Sequence, residues 1–204
     1  MATKYIVNNV TGQTINGESI LPKYKVYTAL LTQSGGDNEL SLLSGNTLTI
    51  GVTYSIGGYG AGDDFSNVGG PPPSNDTDFW SGYRFCATGT TPAIWTNTYL
   101  DYNTGAPVAS VLEDNIGKVY FKYESTGVYT VGNTDSFFFS PGWNDTKLWY
   151  SCGGIGNSGD ITDGSGKLYF SFENNNLLIV TYDNTNTLIN GNLFNTPIEI
   201  RVYN

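Results

Sequence analysis

Glycine, asparagine and proline interrupt this sequence so often that almost no stretch sustains the apolar spacing of an amphipathic helix. The chain contains 26 Gly and 8 Pro among its 204 residues. Between these breaks, short runs alternate apolar and polar side chains, which is the pattern of a half-buried β-strand. Many short strands separated by turn residues are typical of β-sandwiches and jelly rolls. The sequence therefore predicts an all-β fold, an antiparallel sandwich or jelly-roll-like domain.

The clearest alternating runs are residues 23–31 and 47–54, and each of them predicts a strand. Two pairs of runs are separated by short polar connections, and we expect each pair to form a hairpin. The runs of these two pairs are 118–123 with 127–131, and 168–172 with 177–182. The one segment with a helix-like pattern is 109–115, which is long enough for a single turn.

Charge and side-chain chemistry exclude several functions. The formal net charge is −9, with 9 Lys and Arg against 18 Asp and Glu, so a protein that coats nucleic acid is disfavoured. Without histidine there is no imidazole base, no Ser-His or Cys-His nucleophile pair and no histidine-ligated metal. We therefore expect a protein that binds or builds, not an enzyme, and we expect it to need no cofactor.

The longest apolar runs, such as residues 177–180, are far shorter than the roughly 18 residues of a membrane helix. The first residues show no apolar region of the kind found in secretory signals. We expect a chain without a signal peptide or membrane insertion, made in a cytoplasm. In that compartment Cys86 and Cys152 are expected to remain thiols, although one bridge between them stays an alternative.

Aromatic residues supply the candidate binding site. A Gly- and Pro-rich stretch at 57–73 predicts a long excursion without regular structure, and such loops are often functional. Exposed Trp and Tyr side chains stack on sugars or anchor protein interfaces. The alternative for each of them is a place in the core. The candidate binding residues are Trp80, Tyr83, Trp95, Trp143 and Trp149.

Short acidic motifs are weaker candidates. Asp160 and Asp163 stand three apart beside turn glycines and are weak Ca²⁺ candidates, as are the pairs at 63–64 and 76–78. None matches a complete calcium-loop pattern, so we favour turn formation and an acidic surface for these residues. A glycosidase would need two carboxylates across a cleft, and the sequence does not place any two Asp or Glu side chains face to face.

Three segments together resemble a known family. Residues 25–35 read KVYTALLTQSG, residues 105–117 read GAPVASVLEDNIG, and residues 195–203 read NTPIEIRVY. These resemble words of a family of small, mostly uncharacterised proteins of tailed bacteriophages and environmental viruses, often encoded near virion structural genes. The resemblance covers a little over half of the chain. It implies a virion component and identifies no catalytic residue.

In the family, the first word runs almost directly into the second. Here about seventy residues separate them, so the resemblance implies a β core formed by 23–35 plus 104–204, with 36–103 as an inserted subdomain or long loop region. Such insertions are tolerated because loop closure becomes more costly only slowly with length. Residues 1–22 precede the core and are expected to form an added strand or an arm that pairs with a neighbouring subunit, with a frayed tail as the alternative.

The sequence-based hypothesis is a non-enzymatic bacteriophage structural protein, which is a head-decoration, fibre or tail-associated module located in the virion. It would act by assembly with other virion proteins and by binding a host glycan. A homo-oligomer is expected, a trimer in the case of a fibre, because symmetry multiplies weak sites. The alternatives are a carbohydrate-binding module or lectin and a glycan-degrading enzyme.

Overall fold

The computed structural model describes residues 14–15, 18–19, 24–134, 148–152, 166–173 and 176–203. These residues form an all-β chain, as predicted. Its only helical element within the described ranges is a short 3₁₀ helix, Ser66–Val68. Within the same ranges, no helix is long and apolar enough to span a membrane. The strands are β1 (Thr14–Ile15), β2 (Glu18–Ser19), β3 (Tyr24–Thr32), β4 (Glu39–Leu42), β5 (Thr53–Gly58), β6 (Arg84–Cys86), β7 (Tyr99–Asn103), β8 (Val108–Asp114), β9 (Val119–Ser125), β10 (Val128–Asn133), β11 (Leu148–Cys152), β12 (Lys167–Glu173), β13 (Asn176–Tyr182) and β14 (Thr196–Tyr203).

The longer strands form three antiparallel sheets of four strands each. In order across each sheet, the first is β11-β14-β3-β8, the second is β12-β13-β10-β9 and the third is β4-β7-β5-β6. Among the strands that the structure describes, β1 and β2 pair only with each other. The predicted hairpins are confirmed, because β9 pairs with β10 and β12 pairs with β13.

The first two sheets face each other across one hydrophobic core. Alternate residues of β3, namely Tyr27, Ala29 and Leu31, point into it and are at most 1% exposed. They pair with buried residues of β14, for example Tyr27 with Ile200. From the opposite sheet, β9, β10 and β13 contribute their own buried faces to the same cluster. This two-layer arrangement is consistent with a β-sandwich.

The third sheet has a separate core. Its buried cluster consists only of residues between Leu48 and Leu100, and large aromatic side chains dominate it. All four strands of this sheet lie within 36–103, the segment predicted to be an insertion. That this segment is an insertion into a family core stays a prediction.

Two hydrogen bonds join the start of that segment to Thr104, the residue that follows its end. The N–H of Thr104 donates to the carbonyl of Asn38 at 2.9 Å, and the Thr104 hydroxyl donates to the carbonyl of Gly36 at 2.9 Å. The third sheet also contacts the sandwich, since the N–H of Phe121 on β9 donates to Oγ1 of Thr53 on β5 at 3.0 Å. The third sheet is therefore fixed beside the edge strand β9.

Two local predictions are wrong. Residues 109–115 do not form a helical turn, because Val108–Asp114 is strand β8. Of the strand predicted at 47–54, only Thr53 and Tyr54 are in β5, because the chain turns at Gly51 with φ +84°. Cys86 and Cys152 are both free thiols in this structure.

Candidate functional site

Four aromatic side chains, an exposed Phe79 and half-buried Trp80, Tyr83 and Tyr120, gather where the third sheet meets the sandwich. A cleft of about 410 Å³ opens there between the 79–84 segment and the adjoining strands β9 and β10. Its volume falls in the range of roughly 300–1,000 Å³ typical of small-ligand sites. We call it the aromatic cleft, and it is lined by Phe79, Trp80, Ser81, Gly82, Tyr83, Arg84, Tyr120, Asn133 and Thr134.

A tight turn presents the aromatic residues of the 79–84 segment. The N–H of Tyr83 donates to the carbonyl of Trp80 at 3.0 Å, and Gly82 adopts φ +79°, which favours glycine. Two further backbone hydrogen bonds link the turn to Ile56 of β5. The N–H of Gly82 donates to the carbonyl of Ile56, and the N–H of Ile56 donates to the carbonyl of Tyr83. The turn is therefore fixed to a strand of the third sheet.

The turn's three aromatic rings form a chain of edge-to-face contacts. Phe79 and Trp80 have ring centroids 4.5 Å apart at an interplanar angle of 79°, and Trp80 and Tyr83 are 5.2 Å apart at 82°. Such geometries are favourable between aromatic rings. Phe79 is nevertheless 64% exposed, so one of its faces is available to a ligand.

The opposite wall is the ring of Tyr120 on β9. Tyr120 pairs with Gly132 on the adjacent strand β10, and its ring lies directly over the Cα of that glycine. A side chain at position 132 would occupy the space that the ring now fills. The missing Cβ therefore lets the Tyr120 ring extend over the neighbouring strand β10 and form one wall of the cleft.

Arg84 brings a positive charge to the cleft. Its Cζ lies 6.0 Å from the centroid of the Tyr120 ring, within cation–π range. Among the described residues, the Arg84 guanidinium forms neither an ion pair nor a hydrogen bond. In a chain with a net charge of −9, a half-buried guanidinium without an ion pair among the described residues is a candidate anion-binding group.

The nearby carboxylate of Glu124 is already engaged elsewhere. Burial alone would raise the pKa of Glu124, but hydrogen bonds from Lys122 and Thr130 outweigh it and lower that pKa. The positive charge of Arg84 lowers it further without forming an ion pair. Lys122 is the ion-pair partner of Glu124, at 2.8 Å. This pairing leaves Arg84 available to another acceptor.

The structure divides the predicted site residues. Trp80 and Tyr83 lie together in the aromatic cleft. Trp95 instead packs against the core of the third sheet, where its indole N–H donates to the carbonyl of Thr98 at 2.7 Å. Trp95 is therefore a structural residue in this arrangement.

Trp149 lies elsewhere, on the outer face of the first sheet. The Cζ of Arg201 sits 4.5 Å from the Trp149 ring and 5.0 Å from the ring of Tyr24. Arg201 is already paired with Glu199 at 2.5 Å. Trp149, Tyr24 and Arg201 thus form a cation–π cluster whose positive charge is paired with Glu199. The remaining candidate, Trp143, lies outside the described residues.

The acidic motifs that the structure describes form turns or internal supports. Asp63 is fully buried and accepts backbone N–H groups from Thr96, Asn97 and Thr98 at 2.7, 3.0 and 2.8 Å. Asp64 accepts the N–H two residues ahead at 2.9 Å, as does Asp76 at 3.0 Å. In the part of the chain that the structure describes, no three Cys, Asp or Glu side chains are placed to hold a metal ion. The weak Ca²⁺ candidates Asp160 and Asp163 fall outside that part.

Two carboxylates do meet in a second, smaller cavity beside β9. Glu39 and Asp101 line it together with Arg84 and Lys122. Its volume is about 90 Å³, well below the roughly 300 Å³ at which small-ligand pockets begin. The aromatic cleft is therefore the better candidate for binding.

Sequence reasoning missed Phe79, Arg84 and Tyr120. For the first two a signal was present, since residues 79–84 read Phe-Trp-Ser-Gly-Tyr-Arg and join three aromatic residues to one of only two arginines in the chain. Tyr120 lies on another sheet, and only the fold brings it to the cleft. In comparisons with known proteins, no family model, no curated sequence and no solved structure matches this chain.

Proposed function

We propose that this chain is a non-enzymatic structural protein of a bacteriophage particle, a head-decoration, fibre or tail-associated module. In this proposal the sandwich serves assembly with other virion proteins, and the third sheet carries a host-binding surface. The observation that carries the binding role is the aromatic cleft, where an exposed Phe79 and the ring of Tyr120 lie beside Arg84, which has no ion pair among the described residues.

The assignment to a virion rests on the sequence words, and their placement supports it. Residues 25–35 contain most of β3, residues 105–117 contain β8 and residues 195–203 contain β14. These three strands are neighbours in the first sheet, in the order β14-β3-β8. The three segments that resemble the phage family therefore lie on neighbouring strands of one sheet, as expected if a shared core were retained.

A symmetric homo-oligomer is part of the proposal. Weak glycan sites gain from repetition, because linked sites raise the effective concentration of the second contact. A trimer is expected if the protein belongs to a fibre. Light scattering on the purified chain measures this directly, and a monomer at micromolar concentration would contradict it.

The main test is a mass-spectrometric inventory of purified phage particles from a lysate that expresses this chain. We expect the protein in particles separated by density gradient, at a copy number that matches the symmetry of the head or tail. Its recovery only in the soluble fraction, with the capsid proteins present in the particles, would reject the virion assignment.

The aromatic cleft also favours a second candidate, a free carbohydrate-binding module or lectin. That candidate predicts glycan binding by a protein that is absent from purified particles. A glycan-degrading enzyme is the third candidate, to which the neighbouring carboxylates Glu39 and Asp101 give a specific test. Release of reducing sugar from host polysaccharide, abolished by Glu39→Gln or Asp101→Asn, would establish an enzyme instead.

A further inference from the structure

We propose that the aromatic cleft binds a pyranose sugar that carries a carboxylate, with the sugar ring against Phe79 and Tyr120 and its carboxylate paired with Arg84. This inference rests on the binding role of the proposed function and names the ligand class. It does not depend on the particle to which the protein belongs.

The aromatic rings account for the sugar ring. The apolar face of a pyranose, formed by its C–H groups, packs against flat aromatic surfaces and buries apolar area there. Phe79 offers an exposed face, and the Tyr120 ring occupies the space left by the missing side chain of Gly132. Both side chains are positioned before a ligand arrives, which reduces the entropy lost on binding.

Arg84 accounts for the acidic group. A guanidinium donates two parallel hydrogen bonds to a carboxylate, and this pairing is stronger than bonds to neutral hydroxyls. Among the described residues Arg84 has no ionic partner, and Glu124, the carboxylate whose pKa it lowers, is paired with Lys122. A ligand carboxylate would thus give the Arg84 guanidinium the ion-pair partner that it lacks among the described residues.

Polar atoms around the cleft fit a hydroxylated ligand better than an apolar peptide. The lining includes Ser81, Asn133 and Thr134 beside the aromatic rings. At the same time, the net charge of −9 disfavours a densely charged polymer, because long-range repulsion opposes its approach. The expected ligand is therefore a glycan in which acidic sugars are spaced among neutral ones.

The experiment compares matched probes that differ by one acidic group. Titration calorimetry with sialyllactose against lactose, and with methyl glucuronide against methyl glucoside, separates sialic from uronic acids and each from its neutral counterpart. We expect one acidic probe to bind at least roughly tenfold more tightly than its neutral partner, as charge-assisted bonds imply. Equal binding of acidic and neutral probes, or binding of none, overturns the inference.

Three variants place the binding at the cleft. Arg84→Gln should weaken the acidic probe roughly 10- to 100-fold and leave the neutral probe unchanged. Phe79→Ala should weaken both, and it is a surface change because Phe79 is 64% exposed. Leu43→Ala is the matched control, since Leu43 is 62% exposed and does not line the cleft.

Circular dichroism and thermal unfolding establish that each variant is folded before binding is measured. If Arg84→Gln and Phe79→Ala bind the acidic probe as the wild type does, the site lies elsewhere and the inference is wrong. If the protein is found in particles but binds no sugar in any probe, this inference fails while the virion assignment stands. If the protein binds acidic sugar but is absent from particles, the virion assignment fails while this inference stands.

Discussion

The ring of Tyr120 occupies the space that a side chain at Gly132 would need. A Cβ placed on Gly132 would stand 2.5 Å from the phenol oxygen of Tyr120, closer than real Cβ contacts occur. The two residues are paired across β9 and β10, so the contact is set by the register of the hairpin. The position of the Tyr120 ring, which forms one wall of the aromatic cleft, therefore depends on the absence of a side chain at Gly132.

Gly132→Ala should displace the Tyr120 ring and weaken sugar binding roughly tenfold, an effect of the size expected when one stacking surface is lost. The fold should survive, because Gly132 has an ordinary strand conformation that alanine adopts. Titration calorimetry with the acidic probe measures the change. Gly36→Ala is the control, since nothing lies within 4 Å of a Cβ at that position; an equal loss in both variants would contradict this prediction.

Asp63→Asn should lower the free energy of unfolding by about 3 kcal/mol, because it removes a charged acceptor from a buried cluster of donors. The carboxylate accepts three backbone N–H groups and the hydroxyl of Thr96, and an amide would turn an NH₂ group toward one of them. Urea unfolding at pH 7 measures the change. Asp64→Asn is the matched control, since the amide oxygen can still accept from Ser66.

The same carboxylate predicts a pH dependence. Burial would raise the pKa of Asp63, but its hydrogen bonds outweigh burial and lower that pKa below the ordinary value. Its stabilising contribution is therefore complete above the unfolded-state pKa, about 3.9, and is lost as the pH falls through the lower folded-state pKa. Urea unfolding between pH 5 and pH 2 should show a shallower acid loss in Asp63→Asn than in the wild type. Parallel curves would exclude this role.

Tyr27→Phe should leave stability unchanged or raise it by about 1 kcal/mol. The Tyr27 side chain is 1% exposed, and its hydroxyl has no hydrogen-bond partner among the described residues. Tyr54→Phe provides the contrast, because the Tyr54 hydroxyl accepts the N–H of Thr49 at 2.9 Å. That variant should lose about 1 kcal/mol, and an equal loss in both variants by thermal unfolding would refute the distinction.

Cys86 should resist alkylation in the folded protein. Burial, together with the negative charge of Asp114, raises the pKa of the Cys86 thiol to about 12. At pH 8 only about one thiol in ten thousand is then ionised, and the thiolate is the reactive form. Peptide mass spectrometry after iodoacetamide treatment should show slower modification of Cys86 than of Cys152, with equal rates in denaturant. Equal rates in the native protein would contradict this prediction, since both thiols are half-buried and only the Cys86 pKa is raised as far as about 12.

Alternation predicted most of the sandwich strands, because one face of each strand is buried and the other is not. It failed at β8, where the register to β3 shifts between Thr28 and Ala29. Such a bulge changes the phase of the strand, so Val111 and Leu112 are consecutive apolar residues in a pattern that imitates a helical turn. It failed at 47–52 because Gly51 turns the chain, and a single glycine inside an alternating run gave no clear sign of that.

The candidate site was predictable only in part. Trp80 and Tyr83 are close in sequence and follow a Gly- and Pro-rich stretch, so local reasoning indicated them. The sequence around Trp95 is as rich in turn and polar residues as that around Trp80, so it does not distinguish the two. Only the packing shows that the Trp95 ring contacts Phe65, with centroids 5.7 Å apart. Tyr120 reaches the cleft through the placement of the third sheet beside β9, a relationship between distant segments that no local pattern encodes.

The hydrogen bonds between Thr104 and residues 36 and 38 bring the start and the finish of the third sheet's segment to one point on the sandwich. A segment anchored in this way can lengthen, shorten or be exchanged without moving the strands on either side of it. A change in the length or sequence of the third sheet's segment therefore need not change the pairing of the strands in the sandwich.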